Sequence, residues 1–270
     1  MNIMRIFKDI LTAAALVLMA AGLSSCYFRL SDDAKKQFKY DLRYRISDLG
    51  GEIDTVTRNV GEFNSIDIDI LLNDMIFVQT EDEFKVEVIA YDYLIDSIHT
   101  TNDNGVLRIY NSKYNSEIQG MTQVRVYAPT VNSITNRGCG DIRIAEYKGD
   151  SLNIETIGSG DLTAFNLEIS GKLTIQGNGS GDHEFRHITA DEMVIDKKGS
   201  GDGEYRELKV GTLSVTSTGS GDATLSGKAD SVSFHKAGSG DIDASELKAQ
   251  NVKTQKSGSG DLIINWESVK

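Results

Sequence analysis

Seven aspartates recur along the second half of the chain at intervals of 19 to 21 residues: Asp141, Asp161, Asp182, Asp202, Asp222, Asp241 and Asp261. Six of them close a Gly-Ser-Gly-Asp tetrapeptide, and the first closes Gly138-Cys139-Gly140-Asp141. Carboxylates stacked at a strand spacing of about 4.8 Å repel one another by roughly 0.9 kcal/mol in water, so something must offset that repulsion. Two chemistries would do so. Each carboxylate could accept backbone N–H bonds within its own turn, as Asx turns do. Alternatively, calcium could bridge adjacent turns. The sequence favours the structural reading over calcium, and seven near-identical turns argue against catalysis, because a catalytic site is normally one exception to a pattern. The nine-residue spacing of the calcium-binding β-roll is absent.

Other residues capable of chemistry are sparse. The histidines are His99, His183, His187 and His235, and only His183 and His187 lie close together, where one strand face could carry both imidazoles. His183 nevertheless falls in a column that is mostly apolar in the other repeats. Every Gly-Ser-Gly-Asp holds a serine, but no repeat supplies a histidine partner to make it a nucleophile. Basic residues that could line a polysaccharide cleft (Lys172, Arg186, Arg206, Lys228 and Lys248) are scattered. No catalytic residue, metal ligand or cofactor is expected, with calcium on the aspartate column as the one alternative. Trp266 is expected to cap the apolar end of the fold, with a sugar-binding platform as the other reading.

The elements that carry the aspartates follow from the residues between them. Three positions after each Asp stand Ile144, Ala164, Phe185, Tyr205, Leu225, Ala244 and Ile264. Near the middle of each repeat stand Tyr147, Leu167, Ile188, Leu208 and Leu247. Paired positions follow: Leu152 with Ile154, Leu173 with Ile175, Met193 with Ile195, Leu213 with Val215, and Val232 with Phe234. A spacing of two is strand periodicity, and no stretch carries a helical stripe. The expected fold is therefore all-β. It is a right-handed parallel β-helix, or solenoid, of about 20 residues and three short strands per coil, with additional strands packed on its N-terminal end. Phe185 and Tyr205 should stack inside it. Glycines on both sides of each serine suit a tight corner directly above the coil below. The serine hydroxyls should align in a column, with Cys139 a weak donor at its end.

The first part of the chain reads differently. Arg5 and Lys8 precede an apolar run from Ile10 to Leu23, the pattern of a signal peptide spanning residues 1–25 and shorter than a membrane span. The run ends in Leu23-Ser24-Ser25-Cys26, which resembles a bacterial lipobox with Cys26 as the lipidated residue. If Cys26 is acylated, Cys139 has no cysteine left to pair with. Residues 26–57 read as a tether, with apolar residues at 38, 40, 42, 44 and 46 marking one strand. Residues 58–137 read as several strands (65–72, 76–80, 84–91, 106–110 and 123–127), and residues 138–270 as the solenoid. The net charge of −12 disfavours nucleic acid and unassisted docking on anionic lipid. Membrane attachment is expected through Cys26 alone.

The segment Arg58-Asn59-Val60-Gly61-Glu62-Phe63-Asn64-Ser65-Ile66, the Gly105 to Ile109 run and the Gly-Ser-Gly-Asp turns together resemble the bacterial head GIN domain family of auto-transporter adhesins. The resemblance covers about residues 58–264. It implies a β-solenoid exported to the outer membrane or cell surface, binding a glycan or a surface protein without catalysis. The competing expectation is a polysaccharide lyase or hydrolase on the same scaffold.

Overall fold

In the computed structural model, residues 51–111 and 122–265 are described. Cys26, the strand expected at 38–46 and Trp266 lie outside them.

Sixteen strands and one short helix make up these residues. The first half contains β1 (Ile53–Arg58), β2 (Ser65–Asp69), β3 (Asp74–Gln79), β4 (Lys85–Tyr91), α1 (Asp92–Ile95), β5 (Ile98–Asp103), β6 (Val106–Asn111), β7 (Thr122–Ala128), β8 (Ser133–Asn136) and β9 (Asp141–Ile144). The second half contains β10 (Tyr147–Gly158), β11 (Leu162–Gly179), β12 (His183–Gly199), β13 (Gly203–Gly219), β14 (Ala223–Gly238), β15 (Ile242–Ser257) and β16 (Leu262–Ile264). The strands expected in the first half form close to their expected bounds, although β2 ends at Asp69. β1, β5, β8 and α1 had no expectation.

From β10 to β16 successive strands pair in parallel. The register follows the repeat, with Leu173 opposite Met193, Met193 opposite Leu213 and Leu213 opposite Val232. This is the solenoid that the period requires. Its coils are built differently from the expected three short strands. β11 to β15 each run 16 to 18 residues without interruption. They bend instead of breaking: Asn166, His187 and Glu207 take φ of 51°, 59° and 57° in register with one another. At such a residue the chain turns its corner through one left-handed position, and the ladder resumes on either side.

The apolar columns all point inward. Ile144, Ala164, Phe185, Tyr205 and Leu225 are buried, as are the midcoil and paired positions up to Phe234. Phe185 and Tyr205 stack with centroids 5.6 Å apart and planes 25° apart, and neither is exposed. Such a pair contributes about 0.5–1.5 kcal/mol beyond its buried area.

The N-terminal strands extend the same stack. β8 and β9 lie in parallel on β10 and β11; β2 and β3 lie on β8 and β9; β6 and β7 lie on β2 and β3. The chain therefore visits these rungs out of order, since residues 133–144 sit between residues 65–79 and the first full coil. The far end is closed by antiparallel pairing, with β5 on β6 and β4 on β7 followed by β1 on β4. At the other end the inward positions turn polar: Thr254 and Lys256 succeed Phe234 and Lys236 in register, and both are exposed. A polar last rung leaves little apolar surface on which a further coil could grow.

Candidate functional site: the aspartate ladder and its groove

The carboxylate column is a hydrogen-bonded ladder that runs from coil to coil. The amide of Asp161 donates to Oδ1 of Asp141 at 3.0 Å, and Asp182 to Asp161 at 2.8 Å. Asp202 donates to Asp182 at 2.7 Å, Asp222 to Asp202 at 2.9 Å, Asp241 to Asp222 at 2.7 Å and Asp261 to Asp241 at 2.6 Å. The donor to each carboxylate is thus not in the same turn, as an Asx turn would have it, but in the next coil. Each aspartate after the first also returns a bond, because its carbonyl accepts the amide of the residue after the preceding aspartate. Ile142 to Asp161, Leu162 to Asp182, His183 to Asp202 and Gly203 to Asp222 are all 2.8 Å. Stacked turns present an amide directly above each carboxylate, and a charged acceptor bonded to N–H is about twice as strong as a neutral one. That geometry offsets the repulsion within the column.

The glycines permit the approach. A Cβ on Gly201 would lie 2.0 Å from the carbonyl oxygen of Gly181, and one on Gly221 would lie 1.9 Å from that of Gly201. Backbone meets backbone, so no side chain of any size fits. The serine hydroxyls contribute less than expected, and the approach between Ser259 and Ser239 is 3.5 Å, at the edge of hydrogen bonding.

Charge below the turns helps too. Thr156, Gly177, Lys197, Ser217 and Lys236 share one inward column, and all but the glycine are buried polar residues. Lys197 is 7% exposed. Burial pushes its amine down to about 8, while the Asp182 and Asp202 charges pull the other way. Burial raises the Asp161 carboxyl, the Asp182 amide opposes that shift, and the Asp141 and Asp182 charges add to it. This polar column had no expectation. It could have been found by counting two positions past Ile154, Ile175, Ile195, Val215 and Phe234 to the next inward site.

His183 and His187 do not share a face. His183 is 2% exposed, with Nδ1 3.1 Å from the Tyr205 hydroxyl and Nε2 3.3 Å from Thr156 Oγ1. Burial, assisted by the Lys197 charge, lowers its pKa to about 3, so the ring is neutral. His187 stands at the bend, exposed, with Nε2 2.8 Å from Glu207. The left-handed residue at 187 breaks the alternation that would have aligned the two rings.

Outside the ladder lies a shallow groove of about 550 Å³ running over four coils. Asp161, Asp182, Asp202 and Asp222 form one wall, and the outward residues Glu184 and Glu204 lie on the other. Arg186 Nη2 pairs with Glu184 at 2.8 Å, and Arg206 pairs with Glu204. Among the described residues no group of three His, Cys, Asp or Glu side chains is placed to hold a metal ion. The groove offers carboxylate acceptors at a repeating interval, suited to contacts with hydroxyl or cationic groups.

Residues 62–183 and 166–268 match the family described as "Putative auto-transporter adhesin, head GIN domain". Three solved structures, each described as a putative adhesin, share the fold. The one from Bacteroides fragilis NCTC 9343 has a TM-score of 0.69 at 23% identity, covering 79% of this chain and 97% of its own. The one from Parabacteroides distasonis ATCC 8503 has a TM-score of 0.61 at 20% identity, covering 80% and 98%. The one from Parabacteroides merdae ATCC 43184 has a TM-score of 0.55 at 16% identity, covering 80% and 97%. At these identities the likeness establishes the fold. No match was found among curated proteins.

Proposed function

The chain belongs to the head GIN domain family, and from that premise we propose that it is a non-enzymatic binding module of the cell envelope, held to the membrane by a lipid on Cys26. The observation that carries the binding role is the repetition of the groove. The same acidic wall recurs coil after coil, and a repetitive surface fits an extended repetitive ligand better than a single small substrate. A glycan chain offers hydroxyl donors at regular intervals. The carboxylates of Glu184 and Glu204, each paired with an arginine, stand outside the ladder and keep further lone pairs with which to accept from them.

A glycan-cleaving enzyme finds less support. His183 is neutral, buried and already engaged with Tyr205 and Thr156. His187 faces solvent against Glu207, away from the groove wall.

The test is a glycan array probed with the mature chain, residues 26–270 with Cys26 replaced by serine, with and without calcium. Saturable binding that Glu184→Gln plus Glu204→Gln weakens supports the groove as the site. Binding that requires calcium and is lost in Asp202→Asn plus Asp222→Asn moves the contact to the ladder. No binding to any glycan overturns the glycan reading in favour of a protein ligand, and release of unsaturated uronide products would make the protein a lyase. For the anchor, mass spectrometry of the native N-terminal peptide should find Cys26 acylated. A thioether there excludes a disulfide with Cys139, so a Cys26–Cys139 disulfide in the purified protein would remove the anchor from the proposal.

A further inference from the structure

Lys197 differs from the rest of its column. In the same inward column two coils on, Lys236 Nζ donates to the carbonyl of Gly238 at 3.3 Å. Lys197 Nζ is buried and has no hydrogen-bond partner among the described residues. An ammonium group has three donors, and leaving them unpaired away from water is costly enough that such groups are nearly always satisfied.

The space beside it is defined. A cavity of about 10 Å³ is lined by Lys197, His183, Thr156 and the turn glycines Gly158, Gly179 and Gly181. One position below Lys197 in the column stands Gly177, over whose missing side chain the His183 ring packs, so the imidazole forms one wall of the cavity. The volume matches about one water-sized sphere, and the lining carries hydroxyl, imidazole and main-chain carbonyl groups, the conditions for an ordered buried water. An anion would be drawn to the ammonium, but the cavity is small and the carboxylates of Asp182 and Asp202 stand over the same amine.

We propose that one ordered water molecule occupies this cavity, accepts a hydrogen bond from Lys197 Nζ and links it to the glycine turns of the coils around it. The water would then be a fixed part of the corner beneath the ladder, completing the solvation of a cation on which the Asp182 and Asp202 charges act.

A high-resolution crystal structure of the protein tests this, together with a bromide soak and the variant Lys197→Met, which keeps the length of the stem and removes the amine. The expected result is a single peak about 2.7–3.2 Å from Lys197 Nζ, within hydrogen-bond range. It should show no anomalous signal after the soak, and it should vanish in Lys197→Met. A bromide peak in the cavity would make this an anion site and overturn the proposal. So would an empty cavity with Lys197 bonded directly to a turn carbonyl or carboxylate, or a peak that persists without the amine. The wild-type structure decides the matter even if the variant does not fold.

Discussion

The amide of Asp202 donates to Oδ1 of Asp182 at 2.7 Å, while the carbonyl of Asp202 accepts the amide of His183 at 2.8 Å. Two aspartates 20 residues apart are thus joined by a side chain in one direction and by backbone in the other. The acidic column is in this sense part of the coil-to-coil ladder, continued by side chains through the turns where strand pairing stops.

Position within the ladder should set the cost of losing a carboxylate. Asp202→Ala removes the acceptor of the Asp222 amide and should cost about 1–2 kcal/mol. Asp202→Asn keeps an acceptor oxygen and should cost less. Asp261→Ala should stay within about 0.5 kcal/mol, because among the described residues its exposed carboxylate meets only Lys256, at 3.0 Å. Urea midpoints of the three variants check the order, and equal losses at 202 and 261 would contradict it.

The glycine rule is steric and should be severe. Gly201→Ala places a methyl group 2.0 Å from the Gly181 carbonyl oxygen, where neither backbone can retreat without parting the coils. A loss above about 3 kcal/mol, or failure to fold, is expected. Ser200→Ala in the same turn should change stability by less than about 0.5 kcal/mol. Circular dichroism melts of the pair make the comparison.

Acid should weaken the fold through His183. Its folded pKa is lowered to about 3 from the usual 6.5, so between those values the unfolded chain binds a proton that the folded chain refuses. Stability is therefore fully present above pH 6.5 and falls as pH drops, by at most about 1.4 kcal/mol per pH unit from this group. Denaturation of wild type and His183→Leu at pH 7, 5 and 4 should show a shallower decline in the variant. Parallel declines would assign the acid sensitivity to other groups.

Tyr205→Phe isolates the hydroxyl. It keeps the ring stacked on Phe185 but leaves His183 Nδ1 without its partner at 3.1 Å. A loss of about 1–3 kcal/mol is expected from the unsatisfied buried nitrogen. A change below about 0.5 kcal/mol would mean that the ring finds another partner.

Much of this architecture is legible in the sequence by itself. A period of about 20 residues states which side chains share a column, because each coil repeats the last, and alternation by two states which of them face inward. Phe185 over Tyr205, the buried Leu and Ile columns and the crowded turn glycines all follow from those two counts. The tertiary structure decided what no count contains. Carboxylates in a column can bond within a turn or across coils, and only the offset between neighbouring turns selects the amide of the next aspartate. Lys197 is inward by its register, but whether an amine there finds a partner depends on what packs around it, here the His183 ring over Gly177. The left-handed bend at His187, which parts it from His183, is a local backbone choice made by the corner. Asp141 and Ile144 carry the period back to residues 133–144, but nothing in it states that residues 65–79 pair with this segment on the far side from the first full coil. Contacts such as Arg143 with Asp74 at 2.8 Å join residues 69 apart in sequence, where pairing is set by packing in space and not by spacing along the chain.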